Sequence, residues 1–348
     1  MLSMKGFSMD KDKYLTNLKK AIIEQGYRSR YIKLCLNYAE RLLSNNLPVI
    51  FDVKHLALLV GETNGGLNSM IFGTEEYYRE IHIPKKNGGE RILHIPSLRL
   101  KQIQRWIVDS ILVKMHISKY AKGFCKGGSI VKNAIPHLNK ECIINLDLKD
   151  FFPSVSFKRV FRVFNYYGYT KEVSFALSRL CTLDNELPQG SPASPWLSNI
   201  VCLKLDKRLS SVATKYEAAY TRYADDITFS GSKYIQKLKT IAVGIISDEG
   251  FKVNDEKTRV KRRNERQEVT GLIVNNCAVK VSRKYKRSLW QEIYYCKKFG
   301  VSDHMSHTGC YFAFYKEHLY GKAYFINMVE PEEGKKLFEA LDKIDWGY

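Results

Sequence analysis

No stretch of the 348 residues comes near the eighteen or so consecutive apolar residues that a membrane-crossing helix requires. The eight cysteines are scattered and none falls in a C-x-x-C pair, so zinc-site spacing is missing. They include Cys35, Cys125, Cys142, Cys181, Cys202 and Cys296, and several lie in apolar runs and read as buried thiols of a reducing compartment. The first residues, Met1-Leu2-Ser3-Met4-Lys5, lack the apolar segment of a secretion signal. A cytoplasmic protein with no membrane partner is the expectation. There is no internal repeat and no low-complexity segment. Acid is in short supply: 36 Asp and Glu stand against 56 Lys and Arg, a formal net charge of +20. A positive field of that size favours a polyanionic partner, most simply nucleic acid. The excess is spread along the chain, with one dense run through Lys257, Arg259, Lys261, Arg262, Arg263 and Arg266. Charge alone says nothing about catalysis.

What the chain does contain is an ordinary globular pattern, 45% hydrophobic and 26% charged. The first 70 residues carry apolar positions at helical spacing over Tyr14–Gln25 and Arg28–Leu43, with interruptions at Leu47-Pro48-Val49 and Gly65-Gly66. Tyr77–Pro84 and Glu90–Ile95 alternate around Lys85-Lys86-Asn87-Gly88-Gly89 and predict a hairpin. A helix is expected from about Leu98 to Met115. Between 140 and 275 the pattern predicts strand 142–148, helices 156–167, 170–181 and 191–211, strand-turn-strand 219–230, helix 233–248, strand 251–253 and a closing strand 268–275. Three further helices are expected at Tyr285–Phe299, Gly309–Met328 and Glu332–Ile344. The fold class is α+β, an antiparallel sheet with helices and a helical C-terminal lobe.

The acids that remain are placed distinctively. Tyr223-Ala224-Asp225-Asp226 reads as a tight turn between two strands. Such a pair fits an ordinary solvated turn. It also fits a metal site, because two like charges on a turn flanked by apolar strands repel, and a divalent cation relieves that. Upstream, Asp147 is a lone acid in the β-rich run Ile143–Leu148. One carboxylate on a strand and two on a neighbouring hairpin can hold two Mg²⁺ about 3.5–4 Å apart, the arrangement of in-line nucleotidyl transfer. Phe152, five residues past Asp147, could close the space beside a nucleotide sugar, or be core. Leu187–Pro195 is a breaker cluster leading into a helix; within it Gly190 permits close backbone approach and Gln189 could touch a base or sugar. Lys257 lies just beyond a short strand, where it could protonate or stabilise a leaving pyrophosphate, or simply face solvent. Lys85 and Arg91 on the early hairpin could grip a triphosphate.

Taken in order, Asp147 with Phe151-Phe152, Pro188-Gln189-Gly190, Tyr223-Ala224-Asp225-Asp226 and Gly250-Phe251 to Lys257-Thr258 resemble the reverse transcriptases, from about Tyr78 to Asn275. Asn133-Ala134-Ile135-Pro136-His137 is similar to the N-A-x-x-H element of bacterial retron enzymes, and Val269-Thr270-Gly271 to their V-T-G element. Gly123–Ile130 resembles a G-F-x-x-G-x-S-I segment shared with group II intron enzymes, and Gly321–Ile326 a late thumb segment.

The resemblance implies a right-hand polymerase fold: a helical N-terminal extension over 1–75, fingers over 76–140, a palm over 141–275 with a fingers insertion at about 156–200, and a helical thumb over 276–348. It implies Asp147, Asp225, Asp226 and the Leu148 carbonyl as ligands of two Mg²⁺, with Mn²⁺ as a substitute. Phe152 matches the gate against a ribose 2′-OH, Gln189 and Gly190 the nucleotide pocket, Lys85 and Arg91 the triphosphate grip, and Lys257 the general acid. Tyr223 would underlie the primer end, and Asn133, His137, Val269, Thr270 and Gly271 would contact primer or template RNA. The implied activity is RNA-directed DNA synthesis from dNTPs on a structured non-coding RNA, primed by a guanosine 2′-OH, giving RNA-linked single-stranded DNA. A retron effector protein in anti-phage defence and a separate host RNase H are the implied partners. Two rivals are a non-retron prokaryotic reverse transcriptase, defence-associated or intron-derived, and an inactive RNA-binding scaffold. Both family markers and all three acids are present, against either rival.

Overall fold

A computed structural model describes residues 10–84, 88–309 and 313–346. The chain divides into two compact units, one of residues 1–119 and 150–205, the other of 120–149 and 206–348. Among the described residues no helix is long and apolar enough to cross a membrane.

The first unit is mostly helical. Its N-terminal helices are Lys11–Glu24, Ser29–Ser44, Val53–Val60 and Asn64–Phe72. Gly65-Gly66, expected to interrupt, instead lies in the first turn of the last of these. There the Thr63 hydroxyl caps the helix by accepting from Gly66 N at 3.0 Å. The expected hairpin pairs β1 (Tyr78–Pro84) with β2 (Glu90–Pro96), Tyr78 opposite Pro96 and Pro84 opposite Glu90. Helices Leu98–Ser110, Phe157–Tyr166, Lys171–Cys181 and Ser194–Val201 complete the unit. The single helix expected over 191–211 is divided at Cys202, and a second helix runs Leu203–Lys215.

The second unit is built on one antiparallel sheet. Its central strand β3 (Cys142–Lys149) is almost wholly buried, as its run of β-branched and apolar residues requires. On one side it pairs with β5 (Asp226–Gly231), which pairs in turn with β4 (Ala219–Tyr223). On the other side β6 (Lys252–Val253) pairs with the end of β3 and β7 (Arg259–Arg262) with its beginning. The strand that closes this edge is therefore the basic run Arg-Val-Lys-Arg, not the expected 268–275. That segment folds as its own small hairpin, β8 (Glu268–Val269) and β9 (Leu272–Ile273). Thr270 and Gly271 form its two-residue turn at φ +45 and +81, which matches a primed turn and the twist of its strands. Val269 and Leu272 pack with Ile143 of β3, Ala134, and Leu289, Ile293, Leu319 and Ile326 of the C-terminal helices. Those helices are Arg283–Phe299, Val301–Thr308, Tyr315–Val329 and Pro331–Leu341. The helix expected to begin at Gly309 begins at Tyr315.

Candidate active site

Strand pairing brings the upstream acid to the acid pair. β4 and β5 end on the rung Tyr223–Asp226, leaving Ala224-Asp225 as the turn, and the last rung between β3 and β5 sets Asp147 opposite Asp226. Side chains of opposed residues lie on one face of a sheet, so Asp147 and Asp226 project together. The Leu148 N–H donates to the Asp225 carbonyl at 3.1 Å, and Asn254 N–H to the Asp147 carbonyl at 2.7 Å, tying turn and β6 to the end of β3.

The charge this gathers has consequences. Asp226 is open to solvent at the strand end. Crowding of its carboxylate by protein, then the Asp225 and Asp147 charges, push its pKa up from 3.8 to about 7, with Lys257 opposing. Lys257 Nζ donates to both Asp147 carboxylate oxygens, at 2.9 and 3.1 Å, and that hydrogen bond raises the lysine pKa. Asp147 is thus partnered by an ammonium. Among the described residues no three or more His, Cys, Asp or Glu side chains are drawn together into a metal cage. The chemistry of the set nonetheless suits a hard divalent cation: all three donors are carboxylates, and their mutual repulsion is what such an ion relieves.

The turn itself is held from below by residues that motif spacing did not reveal. Ala224 sits at φ +56, a left-handed conformation that a Cβ disfavours. Its carbonyl accepts from Arg222 Nη1 at 3.0 Å. The same guanidinium forks onto Asp206 of helix Leu203–Lys215, Nε to Oδ1 and Nη2 to Oδ2, both at 2.8 Å. Tyr220 Oη donates to Asp206 Oδ1 at 2.6 Å. Arg222 and Asp206 are both fully buried. A clue was available: strand alternation puts Arg222 on the face shared by Tyr220, Ile227 and Phe229, and a core-facing arginine must have a partner. Which acid it meets could not be read from the chain. Gly123 explains part of the G-F-x-x-G segment, since a Cβ there would stand 3.0 Å from the Tyr223 ring and 3.1 Å from Ala224 N. Phe124 and Tyr223 place their ring centroids 6.4 Å apart.

Residues expected to contact RNA divide by exposure. Asn133, His137 and Val269 are fully buried, so in this conformation their side chains are not offered to a nucleic acid. Thr270 is half-buried and Gly271 exposed, at the tip of the β8–β9 turn. Tyr223 is half-buried beside Asp226. His137 is neutral: burial, then the Lys140 charge, lower its pKa from 6.5 to about 3.

The remaining predicted residues belong to the first unit. Phe151 is buried and Phe152 half-buried, their ring centroids 5.5 Å apart, just after the left-handed Asp150. The Gln189 carbonyl accepts from His94 N of β2 at 2.7 Å. Gly190, at φ +129, lies so close to that strand that a Cβ would meet the His94 carbonyl oxygen at 2.5 Å. Only glycine fits there. Arg91 is exposed on β2, and Lys85 lies outside the described residues.

The sequence pattern of the reverse transcriptase (RNA-dependent DNA polymerase) family matches residues 83–275. Among solved structures, the chain is similar to an apo telomerase from Candida tropicalis truncated from its C-terminal domain, at TM-score 0.41 and 12% identity over 64% of this chain and 61% of that one. It is 32% identical over 312 residues to the Retron Ec86 reverse transcriptase of Escherichia coli, a match spanning 88% of this chain and 94% of that protein. It is 34% identical over 334 residues to the Retron Mx65 reverse transcriptase of Myxococcus xanthus, spanning 89% and 76%. With a family pattern over half its length and relatives this similar, the chain belongs to the retron reverse transcriptases and is an RNA-directed DNA polymerase.

Two outcomes are expected from the buried groups. Arg222→Met strands the Asp206 carboxylate without a counter-charge and should lower stability by about 3–5 kcal/mol in urea denaturation. A loss under about 1 kcal/mol would mean that Asp206 finds another partner. His137 should carry an acid-limb signature. As pH falls below 6.5 the unfolded chain takes up a proton here that the folded chain refuses until about pH 3, so stability is lost on acidification. His137→Gln should therefore show a stability–pH slope shallower by about one proton between about pH 6 and pH 4. Equal slopes would place a charged imidazole in the folded protein.

Proposed function

We propose that this polymerase copies a structured non-coding RNA, starting from a guanosine 2′-OH in that RNA, into single-stranded DNA joined to RNA. The observation that carries the catalytic part is the register that sets Asp147 opposite Asp226, with Asp225 in the adjoining turn. In this reading Asp147, Asp225, Asp226 and the Leu148 carbonyl would hold two Mg²⁺, with Mn²⁺ as a substitute. Bound there, such ions would supply activation of the attacking hydroxyl and positive charge beside the pyrophosphate. Lys257, kept protonated beside Asp147, carries the proton or the positive charge offered to the leaving group. Phe152 excludes the ribose 2′-OH, while Gln189, Gly190, Arg91 and Lys85 receive the incoming dNTP. Tyr223 underlies the primer end, and the exposed Thr270-Gly271 turn meets the RNA. The net charge of +20 supports a long polyanionic ligand.

In hand terms, the hairpin β1–β2 belongs to the fingers, the sheet around β3 to the palm and the helices after Ser282 to the thumb. On this reading the protein works in the bacterial cytoplasm with an effector protein in anti-phage defence, and RNA removal is left to a host RNase H.

The test is to express the gene with its flanking DNA, purify the protein and treat the bound nucleic acid separately with RNase and DNase. A DNase-sensitive species whose mobility shifts on RNase treatment is expected. Asp225→Asn should carry bound RNA and no such DNA, since binding rests on many basic contacts. Bound RNA without DNA from the unaltered protein would overturn the retron product. Phe152→Ala should raise incorporation of rNTPs relative to dNTPs, and unchanged sugar discrimination would reduce Phe152 to a packing residue.

A further inference from the structure

His137 is fully buried, and both of its ring nitrogens are engaged by the hairpin that carries Asp225 and Asp226. Nε2 lies 2.8 Å from Thr221 Oγ1 on β4, and Nδ1 lies 2.6 Å from Ser230 Oγ on β5. A neutral imidazole has one N–H and one bare nitrogen, so one hydroxyl accepts and the other donates. Thr221 Oγ1 is also 3.5 Å from the Asn133 carbonyl. If its proton goes to that carbonyl, Thr221 accepts from Nε2–H and Ser230 donates to Nδ1. Asn133 Nδ2 reaches Thr270 Oγ1 at 3.4 Å. A chain of polar groups thus runs from the V-T-G turn through Asn133, Thr221 and His137 to Ser230.

Its location gives it a consequence. Thr221 lies two residues before Tyr223, Ser230 four after Asp226, and alternation puts both on the face that bears Asp226. Thr221 pairs with Thr228 and Ser230 with Ala219, and the Arg222–Ile227 rung lies between the Thr221–Thr228 rung and the Tyr223–Asp226 rung. The ring therefore spans β4 and β5 behind the turn and adds a side-chain tie to their backbone pairing. In-line transfer is sensitive to placement: a shift of about 1 Å can lower the rate by roughly 10²-fold.

We propose that His137 is a positioning residue for polymerisation, clamping β4 to β5 so that the Asp225–Asp226 turn is held in register with Asp147, and that Asn133 seats this clamp on the V-T-G hairpin. The proposal rests on the assignment of catalysis to those aspartates. On this account the N-A-x-x-H element acts beneath the catalytic hairpin, and the RNA is met elsewhere.

The experiment compares the full-length protein with a His137→Leu/Thr221→Val/Ser230→Ala variant. All three polar partners are replaced by apolar groups of similar size, so no donor in the clamp is stranded and folding is retained. Thermal unfolding, cognate-RNA affinity, and kcat and KM for dNTP in primer extension on an added RNA template are read side by side. A folded variant with unchanged RNA affinity and unchanged KM, and kcat lower by about tenfold or more, is the expected result. His137→Gln, whose amide offers one donor and one acceptor, should recover part of that rate.

Wild-type kcat in the folded variant overturns the proposal. So does weakened RNA affinity at unchanged kcat, which would return His137 to RNA recognition. Should the triple variant not fold, Thr221→Val and Ser230→Ala each remove one leg of the clamp, and unchanged kcat in both overturns it equally. Asp226→Asn is measured in parallel. If it polymerises, the catalytic assignment itself fails; if it is inactive while the triple variant runs at full rate, only the clamp fails.

Discussion

Three carboxylates crowded at one end of a sheet repel one another, and the second unit is organised around holding them there. The repulsion is legible in Asp226, pushed up to about 7. One cation, Lys257, opposes it, and another, Arg222, holds the turn. Lys257 sits at the surface and pairs with Asp147, an arrangement that side-chain rotation can undo. Arg222 is fully buried and forked onto Asp206, so it cannot leave without stranding a charge. The surface cation can leave its partner, while the fixed one lies beneath the turn. Because Arg222 also donates to the Ala224 carbonyl, the left-handed residue that makes the turn is secured by the same group.

The two faces of the sheet serve different ends. Leu146, Leu148, Ile227 and Phe229 are buried on one face, which supplies apolar burial. The other face carries Asp147 and Asp226 at the open end, then Asn145 with Thr228, then Thr221 and Ser230 against His137. Thr228, Thr221 and Ser230 are buried, and each of these polar groups, like Asn145, has a hydrogen-bond partner. The β8–β9 hairpin joins this face through Asn145, whose amide donates to the Glu268 carbonyl at 3.3 Å. Val269 and Leu272 then tie it to the C-terminal helices. A rigid frame of this kind suits a reaction in which the protein contributes placement and charge and forms no covalent intermediate.

Local signals carried much of the fold. The hairpin β1–β2 lies where alternation puts it, and the central strand over Cys142–Lys149 and the strand-turn-strand around Ala224-Asp225 lie where β-favouring runs put them. The misreadings are equally instructive. Residues 268–275 are rich enough in apolar positions for a strand, yet Thr270-Gly271 folds them back. Arg259–Arg262 has the composition of a solvated loop, yet it pairs with β3, because a free edge of a buried strand must find backbone partners. Gly65-Gly66 looked like an interruption and proved to be a capped helix start.

By itself the sequence determined which residues are acids, where the tight turns fall, and, through ordered motifs, the family to which the chain belongs. Those are properties of short segments. Only the tertiary structure decided that Asp147 faces Asp226, that Arg222 meets Asp206, and that His137 turns inward onto Thr221 and Ser230. Each of these pairs is joined across many residues of intervening chain. The reason is physical. A buried ion pair or imidazole is tolerated only when its partner is desolvated beside it in the right geometry, and that condition exists only after long-range pairing has occurred.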